Sequence, residues 1–233
     1  MLNIPYTTCS ALVSTITFDK EVCNALVRSF DIVNVAKNTS VFKDEKLDLD
    51  KISTTINFPL FVKPSEGGSS IGMSKVSCKE DLLPAIEKAF EVHHKVLIEE
   101  FIEGREFSCG VMQVGEKEII AFPMTEIVSQ TEFFDYDAKY NNEDSKTVIS
   151  PELPAGKAEE IAEDAVRIFR ALDGFGLSRV DFFMENGTNE IGFNEINTLP
   201  GFTSISMYPM LWEAKGITKK ELVSKLLELA YVR

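Results

Sequence analysis

Asp181, Glu195 and Asn197 stand within "SRVDFFMENGTNEIGFNEINT", residues 178–198, where two apolar runs flank "ENGTN". That turn signal, centred near Gly187 and Thr188, predicts a β-hairpin. If the hairpin pivots there, Asp181 falls opposite Glu195, and Asn197, two residues on, shares their face. Two carboxylates and one amide form a cluster of hard oxygen donors, the type that Mg²⁺ takes alongside substrate phosphates. The plain alternative is a hairpin with a solvated polar face. Opposed like charges destabilise a sheet unless a cation sits between them, which tips the balance to a metal. On that reading, removing either carboxylate relieves repulsion in the metal-free protein.

A second constellation is "FVKPSEGGSSIG", residues 61–72. Lys63 ends an apolar run, where an unpaired ammonium is costly to bury. The loop beyond it offers glycines and the hydroxyls of Ser65, Ser69 and Ser70, so backbone N–H groups can approach a phosphate closely. The order is not that of a P-loop, and a flexible exposed hairpin is about as good a reading of the loop alone. Beside an acidic metal cluster, it suggests a nucleotide gripped by lysine, glycine loop and Mg²⁺.

The rest of the chain must position these groups. Its 233 residues are 44% hydrophobic and 26% charged, enough for one large domain or two small ones. A net charge of -13 argues against nucleic acid or an anionic membrane as partner. The scattered Cys9, Cys23, Cys78 and Cys109 read as reduced thiols of a cytoplasmic protein. The start has no signal-peptide pattern, and no apolar run is long enough to span a bilayer. Helices are expected over 19–30 (Asp19 as cap; Val22, Ala25, Leu26 and Phe30 on one face), 79–94, 156–173 and the C-terminal stretch from Lys219. Strands are expected over 58–65, 73–77, 95–102, 105–114 and 118–128, besides the hairpin. The polar, aromatic-studded segment 129–150 reads as a lid or binding loop. Helices mixed with largely antiparallel strands give the class α+β.

Five stretches, "FPLFVKPSEGGSSIGMSKV", "VLIEEFIEGREF", "FFDYDAKY", "GFGLSRVDFF" and "FNEINTLPGFTSISMYP", keep an order and spacing that resembles the ATP-grasp ligases. Within that superfamily the chain resembles the D-alanine–D-alanine ligases, including the D-alanine–D-serine ligases of vancomycin resistance. The resemblance implies two α+β lobes with ATP between them: a central lobe over 1–98 and a C-terminal lobe with the metal site over 99–233. It implies that Lys20, Lys63 and Ser70 contact the ATP phosphates and that Lys139 reaches the γ-phosphate. Glu99, Glu100, Phe101 and Ile102 match the adenine hinge, although the family usually has lysine at the place of Glu100, and Glu106 matches the ribose-binding acid. Asp181, Glu195 and Asn197 match the ligands of two Mg²⁺ ions, with Mn²⁺ as a substitute. Arg179 and the backbone around Gly201 match groups that stabilise a tetrahedral intermediate. Ser69, Tyr140 and Ser206 match residues that order the active-site loops and the second amino acid.

The implied reaction transfers the γ-phosphoryl of ATP to a D-alanine carboxylate, after which a second D-amino or D-hydroxy acid attacks the acyl phosphate, for peptidoglycan synthesis. The family's N-terminal domain has no counterpart in residues 1–233. The alternative expectation is therefore an ATP-binding fragment that needs that lobe or another partner, with a homodimer as a further option.

Overall fold

One aspartate both ends the first helix and begins the second. The backbone N–H of Asp19 closes α1 (Ala11–Phe18) on Thr15, while its carboxylate accepts the amides of Glu21 and Val22 to start α2 (Lys20–Ser29). Such a side-chain cap satisfies amides that a helix start leaves without partners. The computed structural model describes residues 4–115, 118–128, 146–203 and 206–232.

The described strands form two sheets. The larger runs β1 (Asn34–Val35), β10 (Ile191–Asn197), β9 (Leu177–Glu185), β6 (Gly104–Gln113), β7 (Ile119–Val128), β8 (Lys146–Ile149). The smaller runs β2 (Asn38–Phe42), β5 (Lys95–Glu100), β3 (Leu60–Pro64), β4 (Ser74–Val76). Among the described strands only β1 and β10 pair in parallel, as the α+β reading requires.

Alternation along the strands divides each sheet into an apolar and a polar face. On the larger sheet, Phe107, Cys109, Val180, Phe182, Phe193 and Ile196 enter a core shared with α1, α2 and α5 (Lys157–Ala171). Helix α5 supplies Ile161, Ala165, Ile168 and Phe169, a helical stripe along one side. The other face carries Glu106, Ser108, Arg179, Asp181, Glu195 and Asn197. Its far end, at Met112 and Leu177, is covered by Tyr208 and Trp212 of α6 (Met207–Ala214) and by Leu222 and Leu226 of α7 (Lys219–Ala230). On the smaller sheet, Leu60, Val62, Val76, Val96 and Ile98 pack with α3 (Leu49–Thr55) and α4 (Leu82–Phe90). Lys63 and Glu99 lie on its opposite face. Within residues 1–98, α1 and α2 thus pack with the larger sheet, and residues from Val41 to Ile98 build the smaller core.

Several local expectations need correction. The buried side of α2 is Cys23, Asn24 and Val27, whereas Val22 and Ala25 are exposed. The reason is tertiary: the helix turns Asn24 inward to reach Glu99. The helix expected over 79–94 is a 3₁₀ turn at Lys79–Asp81 followed by α4, with Pro84 in its first turn. Helices α1, α3 and α6 were not anticipated; α6 is short, and burial of Tyr208, Leu211 and Trp212 sustains it. Of the segment expected as a lid, residues 129–145 lie outside the described residues, and β8 follows.

Candidate active site

The lysine side is built on the smaller sheet. Phe61 pairs with Glu99 and Lys63 with Leu97, which places Lys63 and Glu99 diagonally on one face. Lys63 Nζ donates to Glu99 Oε1 at 2.7 Å, and Asn24 Nδ2 of α2 donates to Glu99 Oε2 at 3.0 Å. Their side chains are only 12% and 6% exposed, so the buried ammonium is partnered as its burial demands. Lys20 lies beside them, its Nζ donating to the Gly67 carbonyl at 2.8 Å. Below it, Lys95 pairs with Asp19 and Glu21, and the Ser65 hydroxyl donates to Asp19 at 2.7 Å. The loop that follows bends through Gly67, Ser69, Ser70 and Gly72, all at positive φ. A side chain at Gly72 meets Val92 at 2.8 Å and Pro64 at 3.0 Å, so only glycine fits that turn.

The carboxylate side is the polar face of the larger sheet. Asp181 pairs directly with Glu195, and Arg179 with Asn197. This apposition depends on a bulge. Near the turn Met184 faces Ile191 and Phe182 faces Phe193, but the register shifts between Phe193 and Glu195. An uninterrupted ladder sets Asn194 against Asp181 and sends Glu195 to the apolar face. The extra residue restores Glu195 to the polar one.

A cation does bridge the two carboxylates, and it is the Arg179 guanidinium. Arg179 Nε reaches Asp181 Oδ1 at 2.8 Å, Nη2 reaches Oδ2 at 2.7 Å, and Nη2 approaches Glu195 Oε1 at 3.4 Å. Ser108, opposite Asp181 on β6, donates its hydroxyl to Oδ1 at 2.7 Å. The Asn197 Oδ1 accepts the Leu199 amide at 3.0 Å and fixes the start of the loop beyond the strand. These side chains present carboxylate and amide oxygens alone, which fits Mg²⁺, an ion that keeps several waters. Among the described residues no three His, Cys, Asp or Glu side chains gather as a metal nest, so such an ion would rest on two carboxylates and the Asn197 amide.

Lys20 joins the two sides. Burial lowers its ammonium pKa, while Glu195 of the larger sheet and Glu99 of the smaller raise it and Lys63 lowers it. Helix α2, which carries Lys20, meets both sheets, packing on the larger through Cys23 and Val27 and donating from Asn24 to Glu99 of the smaller. The thiol of Cys23, about one turn along α2 from Lys20, is pushed up to about 12 by burial and then by Glu195 and Asp19. Its thiol therefore stays protonated and inert.

Of the other expected residues, all but Lys139 and Tyr140 lie in the described structure. Glu100 accepts the Lys37 amide at 2.6 Å, and Phe101 stands edge-on to Phe61 with the Lys75 ammonium 4.2 Å from its ring centre. Ile102 lies against Gly192, and Glu106 shares the Asp181 face. Ser206 stands at the N-cap position of α6, makes no side-chain cap bond there, and instead accepts the Thr203 amide at 2.9 Å. A side chain at Gly201 meets Ser206 Oγ at 2.7 Å, so the serine hydroxyl must turn aside to admit one. Tyr140 and Lys139 lie outside the described residues. Asn24 and Ser108 were missed, although each carried a signal. Asn24 is a polar residue inside an otherwise apolar helix face, and Ser108 is two residues from Glu106 on one strand.

The family described as "D-ala D-ala ligase C-terminus" matches residues 26–228. The chain belongs to the D-alanine–D-alanine ligase family. It is 43% identical to a D-alanine–D-alanine ligase of Acetivibrio thermocellus, matching 100% of this chain and 62% of that protein. A D-alanine–D-alanine ligase of Phocaeicola vulgatus is 40% identical, over 98% of this chain and 69% of that protein. Among solved structures, the VanG D-Ala:D-Ser ligase from Enterococcus faecalis superposes with a TM-score of 0.87 at 38% identity, over 97% of this chain and 65% of that one. The Bacillus anthracis D-alanine–D-alanine ligase complexed with ATP gives 0.82 at 30% identity, over 99% and 72%. The fold is thus that of an ATP-grasp ligase. The chain spans a little under two thirds of several curated ligases that it matches, 62% to 64% of their length.

Proposed function

We propose that this chain carries the ATP and Mg²⁺ site of a ligase that joins two D-amino acids through an acyl phosphate, for peptidoglycan precursors in the cytoplasm. The observation that carries this reading is helix α2, which packs on the larger sheet through Cys23 and Val27, reaches Glu99 of the Lys63–Glu99 pair through Asn24, and sets Lys20 on the Gly67 carbonyl of the serine loop. Phosphoryl transfer needs mainly positioning and neutralised charge, and such a cleft supplies both. Lys20, Lys63 and Ser70 hold the phosphates, and Ser69 orders the loop beside them; Glu99, Glu100, Phe101 and Ile102 hold adenine, and Glu106 the ribose. Asp181, Glu195 and Asn197 hold the metal, which when bound offsets charge on the phosphoryl oxygens. Arg179 and the backbone at Gly201 face the oxyanion formed when the second amine attacks, and Ser206 keeps the loop around Gly201 in place. Lys139 and Tyr140 complete the set.

The test is Mg²⁺-dependent phosphate release from ATP with D-alanine as acceptor. D181N and E195Q should each abolish it, and turnover that survives both changes would refute the assignment. The VanG likeness, with its D-Ala:D-Ser title, keeps D-serine beside D-alanine as second substrate, and competition between the two decides. The share of its relatives that the chain spans favours a second reading of residues 1–233 taken alone. In it they bind nucleotide but form little dipeptide, because a charge-assisted hydrogen bond to the first substrate's ammonium, worth about 1.5–3 kcal/mol, comes from outside them. Robust dipeptide synthesis by residues 1–233 rules that reading out.

A further inference from the structure

The polar face of the larger sheet holds its carboxylates in a way that metal binding must undo. Arg179 Nε lies 2.8 and 3.1 Å from the two Asp181 oxygens, and Nη2 lies 2.7 Å from Oδ2. The same Nη2 reaches Glu195 Oε1 at 3.4 Å, and Ser108 takes another position on Oδ1 at 2.7 Å. Asp181 and Arg179 side chains are 10% and 17% exposed, so water competes little with this fork. An ionised carboxylate offers about four lone-pair sites, and here the Arg179 Nε–H, shared between both oxygens, its Nη2–H and the Ser108 hydroxyl engage them. A divalent ion between Asp181 and Glu195 needs the same oxygens, and a guanidinium in contact with them repels it.

Resting on the metal reading above, we infer that Arg179 is a built-in competitor of the metal. The guanidinium neutralises Asp181 and Glu195 in the metal-free protein, and metal binding displaces it toward the substrate side of the cleft. Metal loading and presentation of Arg179 are then one coupled equilibrium. By linkage, whatever draws Arg179 away tightens the metal by the same factor that the metal favours its departure. A fixed brace has the opposite signature: removing Arg179 would let Asp181 swing and would weaken the metal.

The experiment measures the Mn²⁺ Kd by electron paramagnetic resonance, without nucleotide, for the wild-type chain and for R179M, R179K, D181N and E195Q. R179M should bind Mn²⁺ on the order of ten-fold or more tightly, the loss of one charge-assisted hydrogen bond expressed as affinity. R179K, which keeps the charge without the fork, should fall between. Equal or weaker binding by R179M overturns the inference while leaving the metal site intact. Wild-type Mn²⁺ binding that D181N and E195Q leave unchanged overturns the metal reading itself. Should R179M fail to fold, the Arg179 Nε–H resonance of the wild type, assigned with R179K, takes its place. A shift of that resonance on adding Mg²⁺ supports displacement, and no shift overturns it.

Discussion

Two carboxylates that look equivalent on one face are held very differently, and their substitutions should separate accordingly. Asp181 is 10% exposed and receives the Arg179 fork and the Ser108 hydroxyl, whereas Glu195 is 41% exposed with Arg179 at 3.4 Å. Relief of repulsion, the expectation from the hairpin alone, therefore gives way to loss of a buried charged pair. D181N should cost about 1.5–3 kcal/mol in the metal-free protein, and E195Q at most about 1. At roughly 2–4 °C per kcal/mol for a chain of this size, thermal melts resolve the two. Equal midpoints would show that the guanidinium contributes nothing to Asp181. The Lys63–Glu99 pair makes the same point more sharply, since both side chains are almost fully buried. K63M strands the Glu99 charge and should cost about 3–5 kcal/mol, while K63M/E99Q recovers much of that loss. Denaturant titration of the three proteins gives the coupling directly.

Among the elements, α2 is tied to the smaller sheet through Asp19. Burial raises the Asp19 pKa, but hydrogen bonds from Lys95, Ser65 and the Val22 amide outweigh it and leave the carboxyl below the usual aspartate range. A carboxyl whose folded pKa is depressed stabilises fully above the unfolded value of about 3.9, and that stability is lost as pH falls through the lower folded value. D19N should therefore lower stability at neutral pH and flatten the acid fall below about pH 4. Guanidinium midpoints taken from pH 2 to 6 check this, and parallel curves for wild type and variant would contradict it. The same element shows why α2 was misread: periodicity located the helix, but Asn24 turned inward for a partner 75 residues away in the chain.

At the scale of the molecule, a ligand held by both sheets must protect both. Nucleotide with Mg²⁺ at 100 times its Kd should raise stability by about 2.7 kcal/mol through mass action. Hydrogen exchange should slow in β3 and β5 of the smaller sheet and in β9 and β10 of the larger together. Protection confined to one sheet would contradict a nucleotide held by both.

The sequence by itself determined the α+β class, most strand positions, the Asp19 cap and which polar residues share a face with Asp181. These are local quantities: period-2 and period-3.6 patterns, turn residues and capping spacings act over a few residues. The family was legible too, because five motifs in fixed order survive as plain text. Tertiary structure alone decided the rest. Counting from the Gly187–Thr188 turn gave the Asp181–Glu195 pairing, but not the bulge between Phe193 and Glu195 on which that pairing depends. Nor does spacing reveal that Arg179 is the cation between the carboxylates, that Lys63 is neutralised by Glu99, or that Lys20 of α2 reaches the Gly67 carbonyl. Each is a contact between elements distant in the chain, and its energy depends on burial and mutual geometry, which exist only once the two sheets have met.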